Sequence, residues 1–302
     1  MSAIKITFAI SLLIIAIGNA TFAQKRPAQP KTVIFAVLND GKVVEPIGYV
    51  GPKGVMTKSI DGASEQSVLN SFHRTYFAKG KSYSLIFGGK SAGNVTVVSS
   101  EPRGECVNFT AGVTTRTTRT PLKGNIMGLA TNSKILKPGS GTRRLPTSAE
   151  RDEIETLVRD YFTRSSEPAA VAKDLKYHNL TAIDVNNDGK SEMVGSYWVE
   201  PSAKERHLLF FIADLDQNKK YRFGYHNSRK FKEETVMSGD VKDVDGGIYH
   251  ELLLDTFDVD GDGDSEIFSI VKGFEGAGFF MLKRKGERWE TNYEGQNYHC
   301  GY

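Results

Sequence analysis

Two short acidic segments, each preceded and followed by a strand-like stretch, constrain the fold of this 302-residue chain more than any other feature. The first segment is Asp184-Val185-Asn186-Asn187-Asp188-Gly189-Lys190-Ser191-Glu192, and the second is Asp258-Val259-Asp260-Gly261-Asp262-Gly263-Asp264-Ser265-Glu266. Both follow the pattern D-x-[DN]-x-D-G-x-x-E, and they start 74 residues apart. Repetition at a fixed spacing is typical of repeat architectures, in which each unit is one supersecondary element.

The residue types in these segments are those that bind a hard cation. Positions 1, 3 and 5 carry Asp or Asn, so their side-chain oxygens can converge on one ion. Gly at position 6 permits a sharp backbone turn, position 7 can offer its carbonyl oxygen, and Glu at position 9 closes the shell. Six or more oxygens without His or thiolate suit Ca²⁺ better than Mg²⁺ or a transition metal. We therefore predict two calcium sites.

A plain turn and an EF-hand both fit the acidic segments less well. Asp, Asn and Gly are common turn residues, so one such segment could be a plain turn. The second segment, however, places five acids within nine residues, and without a cation they would repel one another. An EF-hand needs Glu at position 12, where this chain has Gly195 and Ser269, and it needs helices on both sides.

The two segments and their strand-like surroundings, roughly residues 178–295, resemble the FG-GAP repeat, a VCBS-like repeat of the integrin α type. The resemblance implies β-propeller blades in which a hairpin loop holds Ca²⁺. Two units are visible, and whether they close into a propeller stays open. The resemblance implies ten ligands, of which Lys190 and Asp264 act through their backbone oxygens: Asp184, Asn186, Asp188, Lys190, Glu192, Asp258, Asp260, Asp262, Asp264 and Glu266.

The chain before these repeats also has a β pattern. Residues 24–136 are predicted to form an N-terminal β domain, and their residues do not indicate a family. Within it, two apolar stretches around Asn39-Asp40-Gly41 predict a hairpin of strands 32–38 and 43–50. Residues 137–147, rich in Pro, Gly, Ser and Arg, are predicted to be a linker.

The remaining residues, 148–302, are predicted to hold one amphipathic helix and two propeller-blade-like units of four strands each. Thr147 and Glu150 fit a capping box, which places the start of the helix directly after the linker. The fold class is therefore mainly β. The alternative is one body of four blades that uses the first half of the chain as degenerate blades.

The first 23 residues have the composition of a secretory signal peptide. Lys5 supplies positive charge, residues 6–17 form an apolar run, and small residues precede a cleavage site after Ala23. This run is too short to span a membrane, and no later segment approaches transmembrane length. We therefore expect a secreted or periplasmic protein. In an oxidising compartment Cys106 and Cys300, the two cysteines, either pair or stay separate, and their spacing does not decide which.

Charge and motifs limit the functional hypotheses. Lys and Arg number 39 against 36 Asp and Glu, a balance that does not favour nucleic acid as a partner. The six His are scattered without a zinc motif, and Gly89-Lys90-Ser91-Ala92-Gly93 lies between two strand-like stretches, unlike a nucleophile elbow. The sequence favours an exported, calcium-stabilised, non-enzymatic module for binding or adhesion, with a protein or glycan as its ligand. An exported hydrolase or lyase with its catalytic site in the N-terminal half stays open, as does a structural envelope protein.

Overall fold

The computed structural model describes residues 30–60, 64–100, 110–118, 121–137 and 141–299. The predicted signal peptide, both cysteines and residues 138–140 of the predicted linker lie outside these ranges. The described chain is mainly β, as predicted.

Within the described ranges there are fifteen strands, four α-helices and two short 3₁₀ helices. The strands are β1 (Thr32–Leu38), β2 (Val43–Val50), β3 (Met56–Thr57), β4 (Ser82–Phe87), β5 (Lys90–Ser99), β6 (Ala111–Thr117), β7 (Gly128–Thr131), β8 (Lys176–Ile183), β9 (Glu192–Ser202), β10 (Glu205–Leu215), β11 (Tyr221–Lys232), β12 (Glu251–Phe257), β13 (Glu266–Lys272), β14 (Gly276–Lys285) and β15 (Arg288–Tyr298). The helices are α1 (Gln66–Tyr76), α2 (Ser148–Arg164), α3 (Ala169–Lys173) and α4 (Lys242–Asp245), and the 3₁₀ helices are Pro52–Gly54 and Glu233–Thr235.

Six strands of the first half form a closed antiparallel barrel in the order β1-β7-β4-β5-β6-β2, and pairing of β1 with β2 completes the ring. Strand β3 adds to β2 outside the ring. The predicted hairpin of β1 and β2 is confirmed, and its turn residues Asn39 and Asp40 have positive φ angles of 50° and 56°. Helix α1 contributes Leu69, Phe72 and Tyr76 to the apolar core of the barrel.

The second half forms two four-stranded antiparallel sheets in which consecutive strands pair. The first sheet has the order β11-β10-β9-β8, and the second has the order β12-β13-β14-β15. The prediction of two four-strand units is therefore confirmed. Each acidic segment lies between the first and second strands of its sheet, so both segments occupy the same place in the repeat.

Apolar side chains on both faces of the second sheet place it between the first sheet and the barrel. Strand β12 illustrates this, because Leu253 contacts the first sheet while Leu252 and Leu254 contact the barrel. Helix α2 covers the other face of the first sheet through Ile154, Val158 and Phe162. The resulting order of layers is α2, first sheet, second sheet and barrel.

The stretch predicted to be a linker makes specific contacts with all three β layers. Thr142 N donates a hydrogen bond to Gly88 O at 3.2 Å, and Arg144 pairs with Ala182 as an isolated β-bridge. The guanidinium of Arg143 reaches Asp255 on β12 at 3.0 Å. Whether residues 137–147 divide two domains stays a prediction, but their described part is fixed against the sheets and the barrel.

The start of helix α2 agrees with the predicted capping box. Thr147 Oγ1 accepts a hydrogen bond from Glu150 N at 3.2 Å, and the Glu150 carboxylate accepts one from Thr147 N at 2.7 Å. Arg144 also binds Glu150, and this hydrogen bond is the main reason why the pKa of Glu150 falls to about 2. None of the helices in the described part of the chain is long and apolar enough to span a membrane.

Candidate metal centre

The two acidic segments have matching backbone conformations. Position 4 has a positive φ in both, 61° at Asn187 and 80° at Gly261. Position 6 also has a positive φ in both, 84° at Gly189 and 103° at Gly263. Gly, and less often Asn or Asp, adopts this region most easily, so the residues at positions 4 and 6 suit the shared loop shape.

The hydrogen bonds inside the two segments match as well. The carboxylate at position 1 accepts from the backbone N–H of position 6, at 2.9 Å in the first segment and 3.2 Å in the second. The side chain at position 3 accepts from the N–H of position 5, at 3.1 and 3.3 Å. The carboxylate at position 5 accepts from the N–H of position 7, at 2.8 and 2.9 Å. These bonds hold the predicted side-chain ligands of positions 1, 3 and 5 against their own loop.

Position 2, which is Val in both segments, fixes each segment to the core. Sequence analysis did not identify this role of the valine. Val185 and Val259 are buried, and the N–H of each donates to the closing Glu, at 3.1 and 3.0 Å. Ser265 N also donates to Val185 O at 3.0 Å, so the two segments contact each other. The closing residues Glu192 and Glu266 are consequently buried.

The second segment brings three carboxylates to the spacing of a shared ion. Asp258, Asp260 and Asp262 each offer an oxygen, and these oxygens lie within 4.8 Å of one another. Oxygens that bind one Ca²⁺ at 2.3–2.6 Å can be at most about 5 Å apart, so the donors fit this cation. Among the described residues, this is the one group of three or more His, Cys, Asp or Glu with such a spacing.

A lysine that sequence analysis did not single out lies in this second segment. The ammonium of Lys283, on β14, contacts Asp260 and is 3.0 Å from both Asp262 and Glu266. Burial alone would lower the pKa of Lys283, but the hydrogen bonds with the three carboxylates outweigh burial and raise it. Lys283 therefore stays charged and neutralises part of the cluster, and a bound cation has to compete with it.

The closing Glu of the first segment has a cation partner from the same strand. Arg284 binds Glu192, lies 3.0 Å from Asp214 and stacks on the ring of Trp289. Lys283 and Arg284 are adjacent on β14, and successive strand side chains point to opposite faces of a sheet. One strand thus supplies a cation to the closing Glu of both segments, Glu266 on one side and Glu192 on the other.

The remaining predicted ligands lie where the sequence places them in the loops. Asp184, Asn186 and Asp188 accept hydrogen bonds from backbone N–H groups of their own loop, and in the described part of the chain they do not form a group of three carboxylates like that of the second segment. Lys190 extends an exposed side chain whose ammonium is 3.8 Å from Asp188. That exposure agrees with a contribution of Lys190 through its backbone oxygen.

Two histidines that are distant in sequence form a buried cluster. The rings of His178 and His250 are 4.3 Å apart and perpendicular, and His178 stacks on Trp198 at 4.5 Å. The Nε2 atoms of both histidines are buried without a hydrogen-bond partner in the described chain. Burial is the main reason why the pKa of His250 falls to about 2. Sequence analysis missed this pair because nothing in the spacing signals it.

Comparison of the chain with protein-family models, with curated proteins and with solved structures finds no match in any of the three. The similarity to FG-GAP repeats therefore stays a prediction.

Proposed function

We propose that this chain is an exported, calcium-stabilised β-repeat protein that binds a glycan or protein ligand. The observation that carries the proposal is the match between the two acidic segments. They share their positive φ positions and their internal hydrogen bonds although they belong to different sheets. The shared loop shape and the three shared oxygen side chains support a common role for the two turns.

In the second segment, Asp258, Asp260, Asp262 and Glu266 are the side chains that would hold the ion. In the first segment, Asp184, Asn186 and Asp188 would hold it, and Glu192 would have to exchange Arg284 for the metal. Calcium supplies positive charge that offsets the repulsion among these carboxylates. Because the segments contact each other between the two sheets, the ions would stabilise the junction of the repeats.

The proposed ligand face is an aromatic cavity of 440 Å³ on the second sheet. Tyr249 and Phe274 meet edge to face on one side of it, and Tyr298 is exposed on the other. Gly276 and Gly278, directly across from Tyr298 and Gln296, leave the floor without side chains. Flat aromatic faces beside polar groups suit a sugar ring, so a glycan is the ligand that this cavity favours.

Tyr249 is the residue of this cavity whose backbone is strained. Its φ is 66°, a region that bulky residues seldom adopt. The ring stacks on Phe231 at 4.7 Å, and Arg229 donates to Tyr249 O at 3.0 Å. Strain of this kind is found where a side chain is held for binding or catalysis, which supports the choice of this face.

Removal of calcium is expected to destabilise the protein. Extracellular calcium modules bind with Kd values of about 10⁻⁴–10⁻³ M, so about 2 mM Ca²⁺ adds on the order of 1 kcal/mol per segment through RT ln(1 + [Ca²⁺]/Kd). We expect a higher melting temperature in calcium than in chelator, measured by thermal unfolding of the mature protein.

Variants assign this effect to the two segments. Asp258→Ala and Asp184→Ala should each remove about half of the calcium-dependent shift in melting temperature. The control Lys190→Ala should retain the full shift, because its side chain is exposed and only its backbone oxygen would bind the ion. Equal melting temperatures in calcium and in chelator for the unchanged protein would contradict the proposal.

A further inference from the structure

Three polar residues outside both acidic segments form a hydrogen-bonded series. Ser228 Oγ on β11 is 2.7 Å from His207 Nε2 on β10, and His207 Nδ1 is 2.8 Å from Glu167 Oε1 in the loop after α2. His207 and Glu167 are buried, while Ser228 is half-buried on a strand at the edge of the first sheet. A hydroxyl, an imidazole and a carboxylate in this order are the parts of an activated nucleophile.

The proton positions in this series follow from its neighbours. Burial alone would raise the pKa of Glu167, but hydrogen bonds from Lys230, at 2.6 Å, and from His207 outweigh burial and lower it. Glu167 is therefore ionised and only accepts, so His207 Nδ1 must carry the donated proton. His207 Nε2 then has its lone pair toward Ser228. Burial lowers the pKa of His207, which keeps the ring neutral near pH 7.

We propose that Ser228 is a nucleophile, with His207 as its general base and Glu167 as the positioning residue, and that it accepts small carboxylic esters with an apolar acyl group. The acyl group would enter a cavity of 270 Å³ lined in part by Leu157, Tyr161 and Phe223. Tyr161 connects this cavity to the series, because its ring contacts that of His207 with centroids 6.5 Å apart.

The edge position of β11 also allows for oxyanion donors near Ser228. Strand β11 pairs with β10 and has no second strand neighbour among the described residues. On an edge strand, backbone N–H groups that point away from the sheet have no ladder partner. Such groups next to the nucleophile can stabilise the negative charge that develops on a carbonyl oxygen.

The reaction consumes an ester and water. Ser228 Oγ attacks the carbonyl carbon while its proton passes to His207 Nε2, and the ester C–O bond breaks as the leaving alcohol takes that proton. Water then attacks the acyl group on Ser228, and His207 Nε2 accepts a proton from the water. Cleavage of the acyl–Ser228 bond releases the carboxylic acid, and Ser228 regains its proton from His207.

The full mature chain is the material for the test. A fluorophosphonate probe would form a bond from phosphorus to Ser228 Oγ with loss of fluoride, and the labelled peptide would be identified by mass spectrometry. Hydrolysis of p-nitrophenyl butyrate would be followed in parallel. We expect labelling at Ser228 and ester hydrolysis above that of heat-unfolded protein, with both abolished by Ser228→Ala. The control Ser238→Ala alters an exposed serine elsewhere and should change neither.

Variants of the partner residues separate catalysis from packing. His207→Gln should slow labelling by a factor of about 10²–10⁴, the usual contribution of a general base. Glu167→Gln should move the acid limb of the pH–rate profile to lower pH, because the imidazolium loses its carboxylate neighbour; a purely structural role would leave that limb in place. Circular dichroism establishes that each variant is folded. Absence of labelling at Ser228 in the folded protein, or equal hydrolysis by Ser228→Ala, would overturn the proposal.

Discussion

Replacement of Arg143 by Met is expected to lower the free energy of unfolding by about 3–5 kcal/mol. Arg143 is the one partner that neutralises Asp255 by an ion pair in the described structure, at 3.0 Å, and the two side chains are 5% and 0% exposed. The guanidinium also donates to Met127 O at 2.9 Å and to Leu254 O at 2.8 Å. Met would leave a buried carboxylate and two carbonyl oxygens without these donors.

Chemical denaturation of matched variants measures this loss. Arg144→Met is the control, because Arg144 is exposed in its pair with Glu150, and we expect a loss of no more than about 1 kcal/mol. Asp255→Asn combined with Arg143→Met should recover part of the loss, since the buried negative charge is then absent. A loss below about 1 kcal/mol for Arg143→Met would mean that residues 141–147 are not fixed as described.

Acid is expected to destabilise the protein through the buried histidine pair. The pKa of His250 falls from 6.5 to about 2 on folding, mainly because the ring is buried, and also because His178 and Arg229 are close. Below about pH 6.5 the unfolded chain therefore binds a proton at His250 that the folded chain does not bind. The contribution of His250 to the free energy of unfolding is complete above that pH. It falls by about 1.4 kcal/mol for each pH unit below it, down to about pH 2.

Comparison with His250→Gln separates the contribution of His250 from that of the carboxyl groups, which also titrate in this pH range. We expect the free energy of unfolding of the unchanged protein to drop about 3 kcal/mol more than that of His250→Gln between about pH 7 and pH 4.5. His226→Gln, which alters an exposed histidine, should behave like the unchanged protein. Parallel pH profiles for the unchanged protein and His250→Gln would contradict the account of a buried neutral His250.

Local pattern was sufficient to predict much of the fold. The Asn39-Asp40-Gly41 turn, the capping box of Thr147 and Glu150, and the repeated order of strands are all encoded within short windows. Closure of the barrel was not predicted, because it depends on pairing of β1 with β7, strands almost 100 residues apart. Such pairing leaves no signal in the periodicity of either strand.

The candidate metal centre shows the same division between local and long-range information. The spacing of Asp, Asn and Gly predicted two loops, and the loops have one conformation. Lys283 and Arg284 escaped prediction because their partners lie up to 92 residues away, as with Arg284 and Glu192. In the sequence, a Lys and an Arg at the end of a strand are typical of solvent-exposed charges. Only the folded structure shows that carboxylates lie beside them.

Neighbouring positive side chains affect the relative affinity of the two segments for calcium. Five acids in the second segment favour tighter binding of calcium, whereas Lys283 already occupies three of its carboxylates. In the first segment, the closing Glu192 is the one acid of the loop that Arg284 binds. Lys283 thus competes with calcium for the second segment, an effect that a count of its acids does not include.

Each segment is proposed to bind one calcium ion, and equilibrium dialysis of the protein against calcium tests this claim. Metal content measured by atomic emission should approach two ions per chain at saturation. It should fall to one ion in Asp258→Ala and in Asp184→Ala, and to none when both are changed. A folded protein that retains no calcium above the dialysis buffer would contradict the claim, and the two segments would then be acidic turns neutralised by Lys283 and Arg284.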